Sequence, residues 1–333
     1  MSGPEKPSRG RKVTSFDVAR RAGVSRAAVS RAFTPNASVS PETREKVVKA
    51  AKELGYRVNY LARGLTTRRS DFVGVVAAGM DNPFRALQIE QITKSLVRRN
   101  FRPILLPADQ GESADHVMDQ LLHYNVSGVL VTSDAPPTAL CAEFAAAGVP
   151  IVLINKADTI PSVDRVVSDT NAAGKLAAAT LVEAGAKQLA VVAAPGPSYT
   201  ARCRLQAFMG ACYALDVEAR VIPVEHNSYR EGLAVAEALK GVDGVFCIND
   251  YMACGLIDGL RRLGGKVPDD VRVIGHDDIP QASWAAYELT TFRQPCDVQA
   301  EQAVSLLISR MDDPTTAERF EVTPVSLVRR ATV

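Results

Sequence analysis

From residue 72 onward the chain alternates short, β-branched apolar runs with amphipathic stretches, and no other feature limits its fold as much. The runs read FVGVVAA, RPILLPA, GVLVTS, PIVLIN, LAVVAA, ARVIPV, GVFCIN and VRVIGH. Between them, residues 86–99, 115–124, 172–184 and 252–263 space their apolar side chains like helices. Strands that are apolar at nearly every position must be covered on both faces, which in an alternating β/α order means parallel sheets sandwiched by helices. About 260 residues of this pattern exceed one typical core, so two lobes are expected.

The charge distribution separates a different region. Residues 1–69 carry sixteen Lys and Arg against five Asp and Glu, whereas the rest of the 333-residue chain carries 23 against 32. That asymmetry is expected of a basic nucleic-acid-binding module joined to an acidic body, although a solvated basic tail has the same composition. No apolar run reaches the roughly 18–20 residues needed to cross a bilayer. The opening MSGPEKPSRGRK is polar and basic with no apolar h-region, so a cytoplasmic, nucleoid-associated protein is expected. The six cysteines, at 141, 203, 212, 247, 254 and 296, form no C-x-x-C pair and are expected to be buried reduced thiols. The four histidines are scattered; neither a metal site nor a cofactor is expected.

Within the basic region, residues 1–12 have no apolar period and are expected to form a disordered arm. Thr14 to Asp17 has capping-box spacing, and Phe16, Ala19 and Ala22 then share one helical face. Gly23 ends that helix, Ser25 caps a second over 26–33, and Val24 and Val29 fill a small core between them. A third helix starts at Ser40-Pro41, turns Val47, Val48, Ala51 and Leu54 inward, and stops at Gly55. Asn59 can cap one further short helix, too short to be stable alone.

The segments VTSFDVARRAGVSRAAVSRAF, SVSPETREKVVKAAKELGYRVN and YLARGL together resemble the DNA-binding headpiece of the LacI/GalR family of bacterial transcription regulators. The resemblance implies that the helix after Ser25 enters the major groove, where Arg26, Ala27 and Arg31 read base edges. It implies that Thr14, Ser15, Ser25, Ser30, Tyr56 and Asn59 position the phosphate backbone. Residues 59–65 match the family's hinge helix, in which Leu65, with Arg63 beside it, wedges into the minor groove. The chain departs from the family pattern with Ala28, Thr34, Val58 and Gly64.

The body shows no catalytic pattern: no G-x-G-x-x-G, no P-loop and no G-x-S-x-G. Asn155, Asn249 and Asp277 each follow an apolar run, where ligands sit in open α/β sheets and where turn chemistry also favours Asn and Asp. Segments VGVVAAGMDNPF, RLQAF, VFCINDYMACG, VPDDVRVIGHDDIP and LTTFRQP resemble the effector domain of the same family, which is similar to periplasmic sugar-binding proteins. That resemblance implies a ligand held by Phe84, Asn155, Arg204, Asn249, Asp277 and Gln294. Ala207, Asn227 and His276 depart from the usual pattern.

The expected organisation is an arm (1–12), a helix-turn-helix domain (13–58), a hinge and linker (59–70) and a two-lobed effector and dimerisation domain (71–333). The lobes are expected at about 71–165 with 292–318, and 166–291 with 319–333. With no leucine heptad tail, a homodimer on a pseudo-palindromic operator is expected, repressing transcription under the control of a sugar or sugar derivative rather than acting as an enzyme. The alternative is a periplasmic-type binding protein or sugar-metabolising enzyme with an incidental basic N-terminus.

Overall fold

The computed structural model describes residues 13–33, 37–57, 70–108, 120–121, 123–132, 138–156, 158–196 and 198–333. The expected arm, Asn59, Arg63, Leu65 and the hinge helix lie outside the described residues. Two compact units meet in sequence at Ser70 and Asp71.

Among its described residues the first unit contains three helices: α1 (Ser15–Ala22), α2 (Arg26–Ala32) and α3 (Pro41–Leu54). Each begins at a side-chain cap. Asp17 Oδ2 accepts from the Thr14 backbone N–H at 3.0 Å and from its hydroxyl at 2.7 Å. Ser25 Oγ accepts from Ala28 N, and Ser40 Oγ from Thr43 N, both at 3.2 Å. Gly23 stops α1 with φ +68, a left-handed conformation glycine adopts without steric cost. Val18, Ala19, Val29, Ala32, Val47, Ala50 and Ala51 form the core, with Val24 and Leu54 packed at its edge. Two expectations fail here. Phe16 is 61% exposed and Val48 47% exposed. The helix faces are rotated so that Val18 takes the inward place on α1 and Ala50 joins Val47 and Ala51 on α3.

Among its described residues the second unit carries two six-stranded sheets. In chain order its elements are β1 (Phe72–Ala77), α4 (Pro83–Arg98), β2 (Arg102–Pro107), β3 (Gly128–Thr132), α5 (Thr138–Ala146), β4 (Ile151–Ile154) and β5 (Asp164–Ser168). There follow α6 (Thr170–Glu183), β6 (Gln188–Ala193), α7 (Tyr199–Ala214), β7 (Glu218–Pro223), α8 (Tyr229–Val235), β8 (Gly244–Cys247) and α9 (Asp250–Arg262). The last are β9 (Arg272–Asp277), β10 (Thr290–Arg293), α10 (Cys296–Asp312), β11 (Phe320–Thr323) and β12 (Ser326–Val328).

The first sheet runs β11-β5-β4-β3-β1-β2 and is parallel throughout. The second runs β12-β10-β9-β8-β6-β7 and is parallel except for its edge strand β12. Alternate side chains of the first sheet go to opposite cores. Val73, Val75, Leu130 and Val152 face α4 and α10, while Val76, Val129, Val131 and Leu153 face Phe144 of α5. The second lobe packs around three rings: Phe208 and Phe246 have centroids 5.4 Å apart, and Phe246 and Phe292 6.3 Å apart.

The crossings between lobes fall a few residues beyond the expected 165, 291 and 318. Arg165 lies inside β5, paired with Phe320 of β11, so both strands belong to the first sheet. Thr291 lies inside β10, on the second. The chain therefore crosses after Ser168, after Arg293 and after Thr323, because each ladder of hydrogen bonds runs to the end of its strand before the chain leaves.

Candidate functional site

Each unit brings together one set of the expected functional residues. On the first, Ser25, Arg26, Ala27, Ser30 and Arg31 are all exposed along α2. The four arginines of α1 and α2 divide. Arg20 pairs with Asp17 at 3.0 Å and Arg21 with Glu53 at 2.6 Å, whereas neither Arg26 nor Arg31 is ion-paired with a described residue. Arg26 instead lays its guanidinium over the exposed Phe16 ring, 4.0 Å from the centroid. Among the expected positioning groups, Thr14 and Ser25 also cap helices, and Tyr56 is half-buried against Phe33 with centroids 6.0 Å apart.

On the second unit, a cleft of about 400 Å³ opens between the lobes at the carboxyl ends of the strands. Phe84 and Asn155 line it from the first lobe, and Arg204, Asn249 and Asp277 from the second. Gln294, the sixth expected residue, is not in the wall. It stands one step behind, donating from Nε2 to Asp277 Oδ1 at 2.6 Å.

The local sequence explains these placements. Asn82 caps α4 by accepting from Phe84 N at 2.9 Å, which fixes Phe84 at the first turn. Asn249 caps α9 the same way, with Met252 N at 2.8 Å, and donates from Nδ2 to the Asn227 carbonyl at 3.1 Å. Arg204 projects from α7, 6% exposed, and donates to Ile248 O at 2.6 Å. α6 and α7 approach closely because Gly174 faces Ala207: a Cβ on Gly174 would stand 2.7 Å from that of Ala207. A small residue at 207 therefore suffices where the family pattern has glycine.

Asp277 sits at φ +126, a conformation that costs a non-glycine residue about 1–3 kcal/mol and persists only where its surroundings hold it. Gln294, His276 Nδ1 at 3.2 Å and Arg204 Nη1 at 3.8 Å surround its carboxylate. Burial, aided by the Arg204 charge and opposed by Asp277, lowers the His276 pKa to about 4, so the ring is neutral. Asp278, its neighbour, points elsewhere and binds Arg293 at 2.7 Å and Arg330 at 2.6 Å. The Asp277-Asp278 pair thus does not act as a unit.

A chain of buried amides and hydroxyls joins the two walls. Gln88 Nε2 donates to Gln299 Oε1 at 2.9 Å, and Gln299 Nε2 to Asn155 Oδ1 at 3.0 Å and Ser168 Oγ at 3.2 Å. The Ser168 hydroxyl donates to Gln294, which reaches Asp277. Sequence reading did not anticipate Gln88 or Gln299, which no strand-end or turn signal marks, or Ser168, which ends β5, a strand outside the eight apolar runs. Nor did it single out Asp250, whose carboxylate accepts from Thr291 Oγ1 at 2.5 Å and from Ile279 N at 2.9 Å. Gly275 is what admits Asp250, since a Cβ there would lie 2.1 Å from its oxygen. Burial, and then the Asp277 charge, push the Asp250 pKa up to about 8. His226, Asn227, Ser228 and Tyr251 complete the second wall.

Among the described residues no group of three or more His, Cys, Asp or Glu can hold a metal ion, and no helix is long and apolar enough to cross a membrane. The six cysteines are free thiols, four of them buried.

Residues 16–59 match the family of bacterial regulatory proteins, lacI family, and residues 178–333 the periplasmic binding protein-like domain. The chain is 33% identical to the HTH-type transcriptional regulator CelR of Thermobifida fusca, covering 92% of this chain and 94% of that protein. It is 29% identical to the ribose operon repressor of Bacillus subtilis (strain 168), over 96% and 98%. Among solved structures, a lac repressor dimer bound to operator and the anti-inducer ONPF superposes with a TM-score of 0.84 at 25% identity, over 97% and 99% of the two chains. A CelR–cellobiose complex superposes at 0.72, with 29% identity over 97% and 100%.

Proposed function

This chain belongs to the LacI/GalR family of bacterial DNA-binding transcriptional regulators, and from that premise we propose that it is a homodimeric repressor whose operator affinity is set by a sugar-like ligand in the interlobe cleft. One observation carries the reading. The capped helix α2 exposes two arginines that form no ion pair with a described residue, and in the same chain a polar cleft draws on both lobes of the body.

In this reading Arg26, Ala27 and Arg31 face base edges, the arginines pairing with guanine O6 and N7. Thr14, Ser15, Ser25, Ser30, Tyr56 and Asn59 position phosphates, while Arg63 and Leu65 act in the minor groove. In the cleft Phe84 offers an apolar floor, and Arg204, Asn249, Asp277 and Asn155 offer the mixture of donors and acceptors that hydroxyl-rich ligands require. Gln294 fixes Asp277 rather than touching the ligand. Ligand contacts on both walls bias lobe closure, and with it the dimer geometry presented to DNA. A regulator of this kind acts on the nucleoid in the cytoplasm.

The test is DNA affinity measured against salt for palindromic and random duplexes, with a thermal-shift screen of cellobiose, ribose and other sugars. The reading expects a steep log–log salt slope, preference for a palindrome and a ligand-dependent shift. Equal affinity for both duplexes would end it.

A further inference from the structure

The geometry points to Phe16 as the residue that positions Arg26 for reading a guanine, so that operator specificity is set by a Phe16–Arg26 pair and not by α2 alone. The inference rests on the reading of Arg26 as a base-contacting residue.

Phe16 is an anomaly by the logic of packing. It sits in the first turn of α1, where the spacing with Ala19 and Ala22 promised a core position, yet it is 61% exposed. The core is complete without it, since Val18 and Ala19 fill the inward face. An exposed aromatic ring that contributes little to the core is available for another task. Its partner is Arg26, the first residue of α2, whose guanidinium carbon lies 4.0 Å from the ring centroid. The other arginines near it are occupied differently: Arg20 and Arg21 are in ion pairs.

The stack suits recognition for a stereochemical reason. A guanidinium stacks through its flat face but donates hydrogen bonds through its edge, so the two can operate together. The ring restrains a long, rotamer-rich side chain without consuming its donors. A carboxylate partner would do the reverse: it would occupy the donating edge and have to be displaced by the base. Because α1 and α2 are locked by the Gly23 cap and a shared core, the ring that holds Arg26 is itself held. The N-terminal residues of a recognition helix are those that approach base edges, which is where Arg26 stands.

The test uses the full-length protein and a randomised duplex library, because such a library contains every candidate half-site. Wild type, Phe16→Ala, Phe16→Leu, Phe16→Tyr, Arg26→Ala and the Phe16→Ala/Arg26→Ala double variant are each enriched and their base preferences compared. Arg26→Ala should erase a guanine preference at one position of each half-site. Phe16→Ala and Phe16→Leu should weaken the same preference by about two- to five-fold, the worth of an exposed cation–π contact. Phe16→Tyr should restore it, and the double variant should match Arg26→Ala alone. Melting temperatures and salt slopes should stay at wild-type values throughout the Phe16 series, since neither the core nor the phosphate contacts change. Additive losses in the double variant would mean that Phe16 meets DNA independently, and would overturn the proposal. So would Phe16→Leu behaving as wild type. If the wild type enriches no sequence, the base-reading premise falls and the proposal with it. If the wild type enriches a sequence whose preference Phe16→Ala leaves intact, the proposal alone falls.

Discussion

In the N-terminal unit the side chains assigned to base reading stand outside the core: Arg26 and Arg31 project from α2 while Val18, Val29 and Val47 do the packing. In the C-terminal unit the corresponding side chains are part of the interior. Asn155, Arg204, Asn249 and Asp277 are all buried, and each is hydrogen-bonded within the protein. Recognition and stability are therefore separable in the first unit and joined in the second. A base edge is reached by extending a side chain toward it, whereas a small ligand is enclosed, and enclosure requires polar groups already desolvated and held in place.

Substitutions can break or sharpen that contrast. The largest effect is expected in the body, at Asp164. Its carboxylate is fully buried between Arg310 at 2.8 Å and Arg319 at 2.9 Å. Burial pushes its pKa upward, but the two guanidiniums outweigh this and hold it below the usual carboxylate value. Asp164→Ala leaves Arg310 buried without a counter-charge and should cost about 3–5 kcal/mol in urea unfolding of the body. A loss below about 1 kcal/mol would show that the backbone carbonyls around Arg310 suffice.

Arg31→Ala should come next and in a different currency. It should lose about 1–3 kcal/mol of discrimination between preferred and random duplexes. Thermal unfolding of the body should not move. A shift there would contradict the separation of recognition from packing. Ser25→Ala tests a place where the two overlap in the headpiece, since Ser25 caps α2. Losing the cap should cost about 1 kcal/mol of headpiece stability, read by hydrogen exchange of the α2 amides.

The last expected effect is a pH slope. His276 has its pKa lowered to about 4, chiefly by burial and then by Arg204. A folded-state pKa below the unfolded value contributes stability that is full above about pH 6.5 and is lost as pH falls toward 4. His276→Phe should flatten the decline in melting temperature of the body between about pH 6.5 and 5. An unchanged slope would assign the decline to the carboxylates.

The sequence was a good guide wherever a local rule applied. Ser25, Gly23, Ser40 and Gly55 fixed the helix ends of the headpiece because caps are decided within a few residues. The eight apolar runs became strands of the two sheets, and the strand-end signals of Asn155, Asn249 and Asp277 led to the cleft. The strands β5, β10, β11 and β12 stood outside those runs. They are short, and their pairing depends on segments far away in the chain, such as Phe320 on Arg165.

What the sequence determined by itself, then, was the class of each element, its ends and the chemistry available at strand termini, because propensity, capping and burial patterns are local. The tertiary structure decided which way faces turned and which distant groups met. It put Val18 inside and Phe16 outside, placed Gln294 behind Asp277, and closed the Gln88–Gln299–Ser168–Gln294 chain that reaches the second wall at Asp277. Those outcomes depend on helix rotation and on side chains meeting from positions up to 211 residues apart, which no local periodicity encodes.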